Sequence, residues 1–405
     1  MPRAIRKTVG KTSTKYIVAR GISAALSLLF AFVYSKALGV ENRSILTFAM
    51  ATTLIMAIFF TSGTTLTFRK KYPREKSTDD ISVVMVLLIL ESLLAALAVL
   101  IAIAIYSTFK IHLPGTLIAV IFVYSFIATL CYASIETILA IGKFGLAAIL
   151  EMITILLQIS VYVTMQYFKL ASVAVSVLGS LMISYLASLT YSWMLLGAEK
   201  PSPPPNKIKP YWNFLKFTRH NHSYVISNGF VDRIDKVIIG WFLPLGLLGQ
   251  FAITTSLISY MRFIPDAISK LIISKTKKQK TFSIIRPNVS TIFFILLIVV
   301  SGVSLSQFLI KVYFGPAWVL PILIPGLFAL EELARGFFQI ECSVLMVSGN
   351  ETIVARQNSW MAVTAFVLCI IGVEVAGLYG APVSLCLNYM LHTFLLQRQE
   401  RRSLG

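Results

Sequence analysis

Apolar residues in this chain gather into runs of about twenty, separated by short polar gaps. An α-helix rising 1.5 Å per residue needs a run of about that length to cross a hydrocarbon layer about 30 Å thick. Such windows predict six spans, roughly 16–38, 45–68, 81–107, 115–140, 146–167 and 172–197. A polar, proline-rich stretch follows, GAEKPSPPPNKIKPYWNFLKF. A second series then runs roughly over 220–243, 246–269, 289–314, 320–347, 354–375 and 378–397. The expected fold is an all-α polytopic membrane protein of about twelve transmembrane helices with both termini on one side. It divides into an N-terminal six-helix lobe (1–197), a cytoplasmic linker (198–219) and a C-terminal six-helix lobe (220–405). The basic start followed by about 22 apolar residues exceeds a signal-peptide h-region and reads as an uncleaved first span.

The basic residues test this assignment, because cytoplasmic loops collect lysine and arginine. With the N-terminus inside, 26 Lys and Arg fall in inner segments and only Arg43, Lys110, Lys169 and Lys311 in outer ones. The same accounting places the stretch NGFVDRIDKVIIGWF. If the seventh helix began after its charges, the basic loop from Lys270 to Arg286 would face outside. Two spans, 220–243 and 246–269, return that loop inside, and they put Asp232, Arg233, Asp235 and Lys236 near the centre of the bilayer.

Composition agrees and changes one inference. The chain is 57% hydrophobic and 13% charged, with mean hydropathy +0.80, whereas soluble domains carry about 25% charged residues. Its net charge of +19 would suggest nucleic acid in a soluble protein, but here it lies in the inner loops and faces anionic lipid, so no nucleic-acid partner is expected. The four cysteines, Cys131, Cys342, Cys369 and Cys386, lie in apolar runs without metal-ligand spacing and read as small apolar side chains. The halves share a short repeat. FAMATTLI at 48–55 and FAITTSLI at 251–258 stand 203 residues apart, each opening the second helix of its half, as in transporters built from parallel repeats with a site between them.

A charge in hydrocarbon costs at least a few kcal/mol, so it needs a partner or a wet cavity. Asp232 and Lys236 stand at i, i+4, as do Arg262 and Asp266. Glu331 and Glu332 precede Arg335 by four and three residues. These spacings put partners on one helix face, where they either neutralise each other or serve a cavity. Arg20 has no acid nearby and reads as a snorkelling group or an anion contact at the inner mouth. Glu91 is isolated and central, either a neutral packing group or a proton carrier. Lys36, Glu136, Glu151, Glu341 and Glu374 lie nearer helix ends, where they can reach the interface. Six bases against ten acids lie within the spans, so composition alone does not set the sign of a cavity. Pro265, Pro321 and Pro325 are expected to kink their helices.

No phosphate-binding loop, H-E-x-x-H, G-x-S-x-G or metal cluster occurs, so neither enzyme activity nor a cofactor is expected. The outer loops, about five residues each, leave no room for the acidic extramembrane loop of a glycan-assembly enzyme. Three stretches carry a resemblance. SKALGVENRSILTFAMATTLI resembles a turn after the first span, with Ser44 where glycine is common. DRIDKVIIGWFLPLGLLGQFAITTSL resembles the pattern after the seventh, with Phe251 replacing a tyrosine. GLYGAPVSLCLNYML resembles the last span. Together they are similar to the bacterial polysaccharide (oligosaccharide-lipid) flippases of the multidrug, oligosaccharidyl-lipid and polysaccharide exporter superfamily. The resemblance implies two six-helix lobes in a V around a polar cavity, in the inner membrane. It implies ion-coupled flipping of undecaprenyl-pyrophosphate-linked glycan for O-antigen or another surface polysaccharide, alongside a polymerase and chain-length machinery. On this reading Arg20, Arg233, Arg262 and Arg335 receive the pyrophosphate, while Asp232, Asp235, Lys236, Glu332 and Glu91 serve ion coupling. A multidrug or toxin cation antiporter of the same superfamily, and a membrane enzyme of glycan assembly, stand as alternatives.

Overall fold

The computed structural model describes residues 11–75, 78–110, 113–169, 171–205, 208–262, 289–347 and 350–404. Among the described residues there are eleven α-helices and no strand. They are α1 (Lys11–Glu75), α2 (Thr78–Phe109), α3 (Gly115–Ala140), α4 (Phe144–Tyr167), α5 (Val173–Gly197) and α6 (Ile208–Phe242). Then come α7 (Leu245–Ile258), α8 (Val289–Phe314), α9 (Leu323–Val347), α10 (Glu351–Ala376) and α11 (Gly380–Leu404). Short 3-10 turns at Ser259–Arg262, Pro316–Trp318 and Gly377–Tyr379 join some of them. A straight helix as long as α1, with its 65 residues, would reach about 98 Å at 1.5 Å per residue, three bilayer cores. Gly39 breaks it with φ 74°, a left-handed conformation open to glycine because it lacks a Cβ. The result is two rods, 11–38 and 40–75. The described rods then number twelve, one in each predicted window, although α6 begins at Ile208, ahead of its window, and the end of the 246–269 window lies outside the described residues.

Six stretches of the described residues are long and apolar enough to cross a membrane: Gly21–Arg69, Asp79–Phe109, Gly115–Ala140, Gly145–Tyr167, Val173–Gly197 and Thr352–Gln399. The first and last run for 49 and 48 residues and hold two rods each. α7 and the 299–314 part of α8 are shorter apolar segments. The helices that miss the criterion for another reason are α6 and α9, whose middles carry charges. The protein is a multi-pass membrane protein, and its least membrane-like helices are those with the most chemistry.

The chain divides into two compact units, Met1–Leu38 with Phe48–Arg233, and Gly39–Thr47 with Ile234–Gly405. In the first, α3 packs on α2 and α5, and α5 on α4. The seam of α5 is a serine every fourth residue, Ser176, Ser180, Ser184, Ser188 and Ser192, all buried. Small side chains let helices approach closely where no hydrophobic effect drives them together. The hydroxyls then bond across: Ser188 to Thr154, and Trp193 Nε1 to Ser134 Oγ at 3.1 Å. Phe48, which opens the first repeat, stacks on Tyr106 with centroids 3.9 Å apart.

In the second unit α11 packs on both α9 and α10. A Cβ on Gly380 would lie 1.8 Å from the Gly372 carbonyl oxygen, so the α10–α11 approach depends on glycine. A buried polar chain extends this seam. Gln357 Nε2 meets His392 Nδ1 at 2.7 Å, which leaves His392 Nε2–H to donate to Thr364 Oγ1 at 2.9 Å. Thr364 donates to Asn388 Oδ1 at 2.6 Å, and Asn388 Nδ2 to the Met361 carbonyl at 3.1 Å. Buried polar groups partnered in this way lock the pair of helices together. The short segment 39–47 also belongs here. Ser44 bonds to the Leu245 carbonyl, and Gly249 sits so close that a Cβ would lie 2.3 Å from the Val40 carbonyl oxygen. Phe251, which opens the second repeat, is fully buried with its ring edge-on to Phe328 at 5.9 Å. A ring packed so closely leaves little call for a tyrosine hydroxyl.

Candidate functional site

Counting back from Phe242 along α6, Asp235 lies about 11 Å and Asp232 about 15 Å from the helix end. In the second unit α6 and α9 bring five charged groups into one field. Asp235, Glu331, Glu332 and Arg335 are 2%, 5%, 2% and 5% exposed. Lys236 Nζ lies 3.1 Å from Asp235 Oδ2 and 5.9 Å from the centroid of the Phe251 ring. The spacing rule expected Asp232 as its partner, and the structure corrects this. Asp235 is the more deeply buried acid, and an ion pair is stronger where water is excluded. The flexible lysine stem reaches the adjacent position despite the 100° turn between neighbours.

Glu331 feels Asp235 and Glu332 on one side of the balance and Lys236 and Arg335 on the other. Its Oε2 is buried with no hydrogen-bond partner. The thiols of Cys369 on α10 and Cys386 on α11 lie in the same field. Fully ionised, three acids against two bases leave one negative charge. That arrangement can take up one proton or one monovalent cation, and it can release Lys236 when Asp235 is neutralised. The sequence reading had placed Glu331 only as a partner of Arg335.

The first unit has a different polar centre. Arg233 is half-buried and its charge acts on Tyr124. The Tyr124 and Tyr185 rings lie 6.3 Å apart, Tyr34 is in their field, and Gln158 bonds to Tyr185. Hydropathy windows treat tyrosine as one more apolar position, so nothing in them marked these three. Glu91 on α2 is not isolated: Thr64 of α1 donates to its Oε1 at 2.5 Å, while its Oε2 is buried without a partner. Asp232 is half-buried on the same helix as Arg233. Arg20 lies in the first rod of α1 and Arg262 in the turn Ser259–Arg262; their side chains, and Asp266 and Pro265, lie outside the described residues. Of the acids expected nearer helix ends, Glu136 pairs with Arg69 at 3.9 Å, Glu341 is buried, and Glu374 is exposed.

Residues 9–262 match the model of a family described as polysaccharide biosynthesis protein. The chain belongs to that family. No curated protein matches its sequence. Among solved structures, this polysaccharide biosynthesis protein is similar to the lipid II flippase MurJ in an inward closed conformation. There the TM-score is 0.63 at 14% identity, over 95% of this chain and 87% of that one. It is similar to an inward-facing multidrug resistance MATE family transporter of the MOP superfamily, with TM-score 0.59, 12% identity, and 96% and 98% coverage. It is also similar to the Vibrio cholerae MATE transporter VcmN in the bent form, with TM-score 0.55, 13% identity, and 97% and 98% coverage. At such identities the likeness speaks for the fold. The family description names polysaccharide biosynthesis, and the fold is the one shared with these MurJ and MATE structures.

Proposed function

We propose that the protein flips undecaprenyl-pyrophosphate-linked oligosaccharide repeat units, for O-antigen or another surface polysaccharide, from the cytoplasmic to the periplasmic leaflet. It does so by ion-coupled alternating access in the bacterial inner membrane, with both termini cytoplasmic. The observation that carries this reading is a buried guanidinium, Arg335, and the half-buried ammonium of Lys236, held among the acids of the α6–α9 cluster in a polysaccharide biosynthesis protein. A pyrophosphate and its sugars do not cross hydrocarbon unaided, whereas the lipid tail can remain in the bilayer. Arg20, Arg233, Arg262 and Arg335 receive the pyrophosphate through charge-assisted bonds. Asp232, Asp235, Lys236, Glu332 and Glu91 exchange the coupling cation and hold the arginines in place. Surface polymerase and chain-length machinery act on the delivered unit.

The test is complementation. The wild-type gene restores surface glycan in a strain lacking its own flippase, and Arg335→Ala at normal protein abundance does not. Full restoration by Arg335→Ala would remove that arginine from the assignment. A cation antiporter of the same superfamily is the second reading, favoured by the excess of one acid in the α6–α9 cluster. Under it, the strain stays glycan-negative while efflux of hydrophobic cations rises.

A further inference from the structure

The segment that follows α5 is tied down at several points. Lys143, the residue before α4, places Nζ 2.6 Å from Glu199 Oε1. The other oxygen of that carboxylate accepts from the Tyr72 hydroxyl of α1 at 3.5 Å. Burial and the neighbouring Glu199 hold the Tyr72 phenol above its usual range, so it stays a donor at physiological pH. Three residues on, the Ser202 carbonyl accepts from Ser82 of α2. Lys200 between them has φ 52°, a left-handed conformation that non-glycine residues disfavour and that persists where its surroundings hold it. The same end carries Lys71 to Asp80 at 2.9 Å, which joins α1 to α2. Beyond it, Phe214 on the first turns of α6 is buried in the core of Phe68, Ile81 and Leu196.

A proline-rich stretch between two helices would ordinarily be read as a slack tether. Residues 198–205 instead lie within the first compact unit, and their contacts hold them there. We propose that residues 198–205 are a strap that fastens the adjoining ends of α1, α2, α4 and α5, and that it stays fastened through the transport cycle. The Lys143–Glu199 pair is about one-third exposed on both sides, so alone it holds the segment only weakly. The strap holds because the pair, two further hydrogen bonds and the burial of Phe214 act together.

The experiment uses the full chain with Cys131, Cys342, Cys369 and Cys386 replaced by alanine, carrying Lys143→Cys and Glu199→Cys. Native membranes are treated with a short, reducible bifunctional thiol reagent. A permanently closed strap cross-links at one rate, within about two-fold, at one fixed neutral pH, with or without sodium and with or without a membrane potential. Glycan export with the link in place stays within about two-fold of the unreacted variant. A more than roughly ten-fold drop in cross-linking under any condition shows a strap that opens and overturns the proposal. So does a loss of export on linking that reduction restores. Only the export arm rests on the flippase reading, and failure of that reading shows separately, as no export before linking. If the pair of substitutions prevents accumulation, Ser82→Cys with Ser202→Cys gives the same readings.

Discussion

Lys236 places its Nζ 3.1 Å from the buried Asp235 carboxylate, and each group offsets the cost of the other. Removing one partner of a buried pair strands the other and costs about 3 kcal/mol or more, whereas removing both costs less. Asp235→Ala and Lys236→Ala should each lower the unfolding midpoint of the purified protein. The double variant should sit above the worse single one, and strictly additive losses would count against a pair. Glu331 presents the opposite case, a buried carboxyl with one oxygen unpartnered. Glu331→Gln keeps the shape and removes the charge, so stability should hold within about 1 kcal/mol while cation-driven transport falls. A thermal scan showing a loss of several degrees would mean that Glu331 is a structural ion-pair member instead. At this scale the sequence was only partly readable. It singled out α6 and its charges, which the structure brings together with α9, but spacing describes exposed helix faces and could not tell that Asp235 is deeper than Asp232. Burial decided the pairing, and burial depends on α7 and α9.

Elements were far more legible, because a membrane allows the chain so few choices. Every backbone donor and acceptor in hydrocarbon must be satisfied within its own helix, so an apolar run of sufficient length is a rod. Two features escaped. The bend at Gly39 was read as a loop between spans, and it is a single left-handed residue with helix on both sides. α6 begins at Ile208, within a stretch too polar for any hydropathy window, where Pro210 in the first turn needs no intrahelical donor. The motif glycine Gly249 shows what such positions do. A Cβ there would meet the Val40 carbonyl oxygen at 2.3 Å, and that oxygen belongs to the backbone and cannot swing aside. Gly249→Ala should therefore cost about 1–3 kcal/mol by overpacking, read as a lower melting midpoint. Ser44→Ala, which removes the hydroxyl's bonds to the Leu245 and Val40 carbonyls without any overpacking, should cost about 1 kcal/mol. Equal behaviour of the two variants would contradict the close approach of α7 to the 39–47 segment.

For the molecule as a whole, the distribution of its charge says more than the total of +19. Twelve rods could enter the membrane in either orientation, and hydropathy does not distinguish them. The distribution of lysine and arginine over short loops does, because basic loops stay on the cytoplasmic side. With 26 basic residues on one set of segments and four on the other, the two orientations are far from equivalent. The prediction is made at single positions in the cysteine-free chain. A cysteine at Pro204 or Ser274, in the two basic segments of the middle of the chain, should resist a membrane-impermeant thiol reagent in intact cells and react after lysis. A cysteine at Ala171 or Ala317, in the sparsely charged turns, should react in intact cells. Ser274 is the decisive position, since it returns to the cytoplasm only if α6 crosses with its charges inside the bilayer. Labelling of that site from outside would move Asp232, Arg233, Asp235 and Lys236 out of the hydrocarbon and leave the proposed coupling site without its reason to bind a cation.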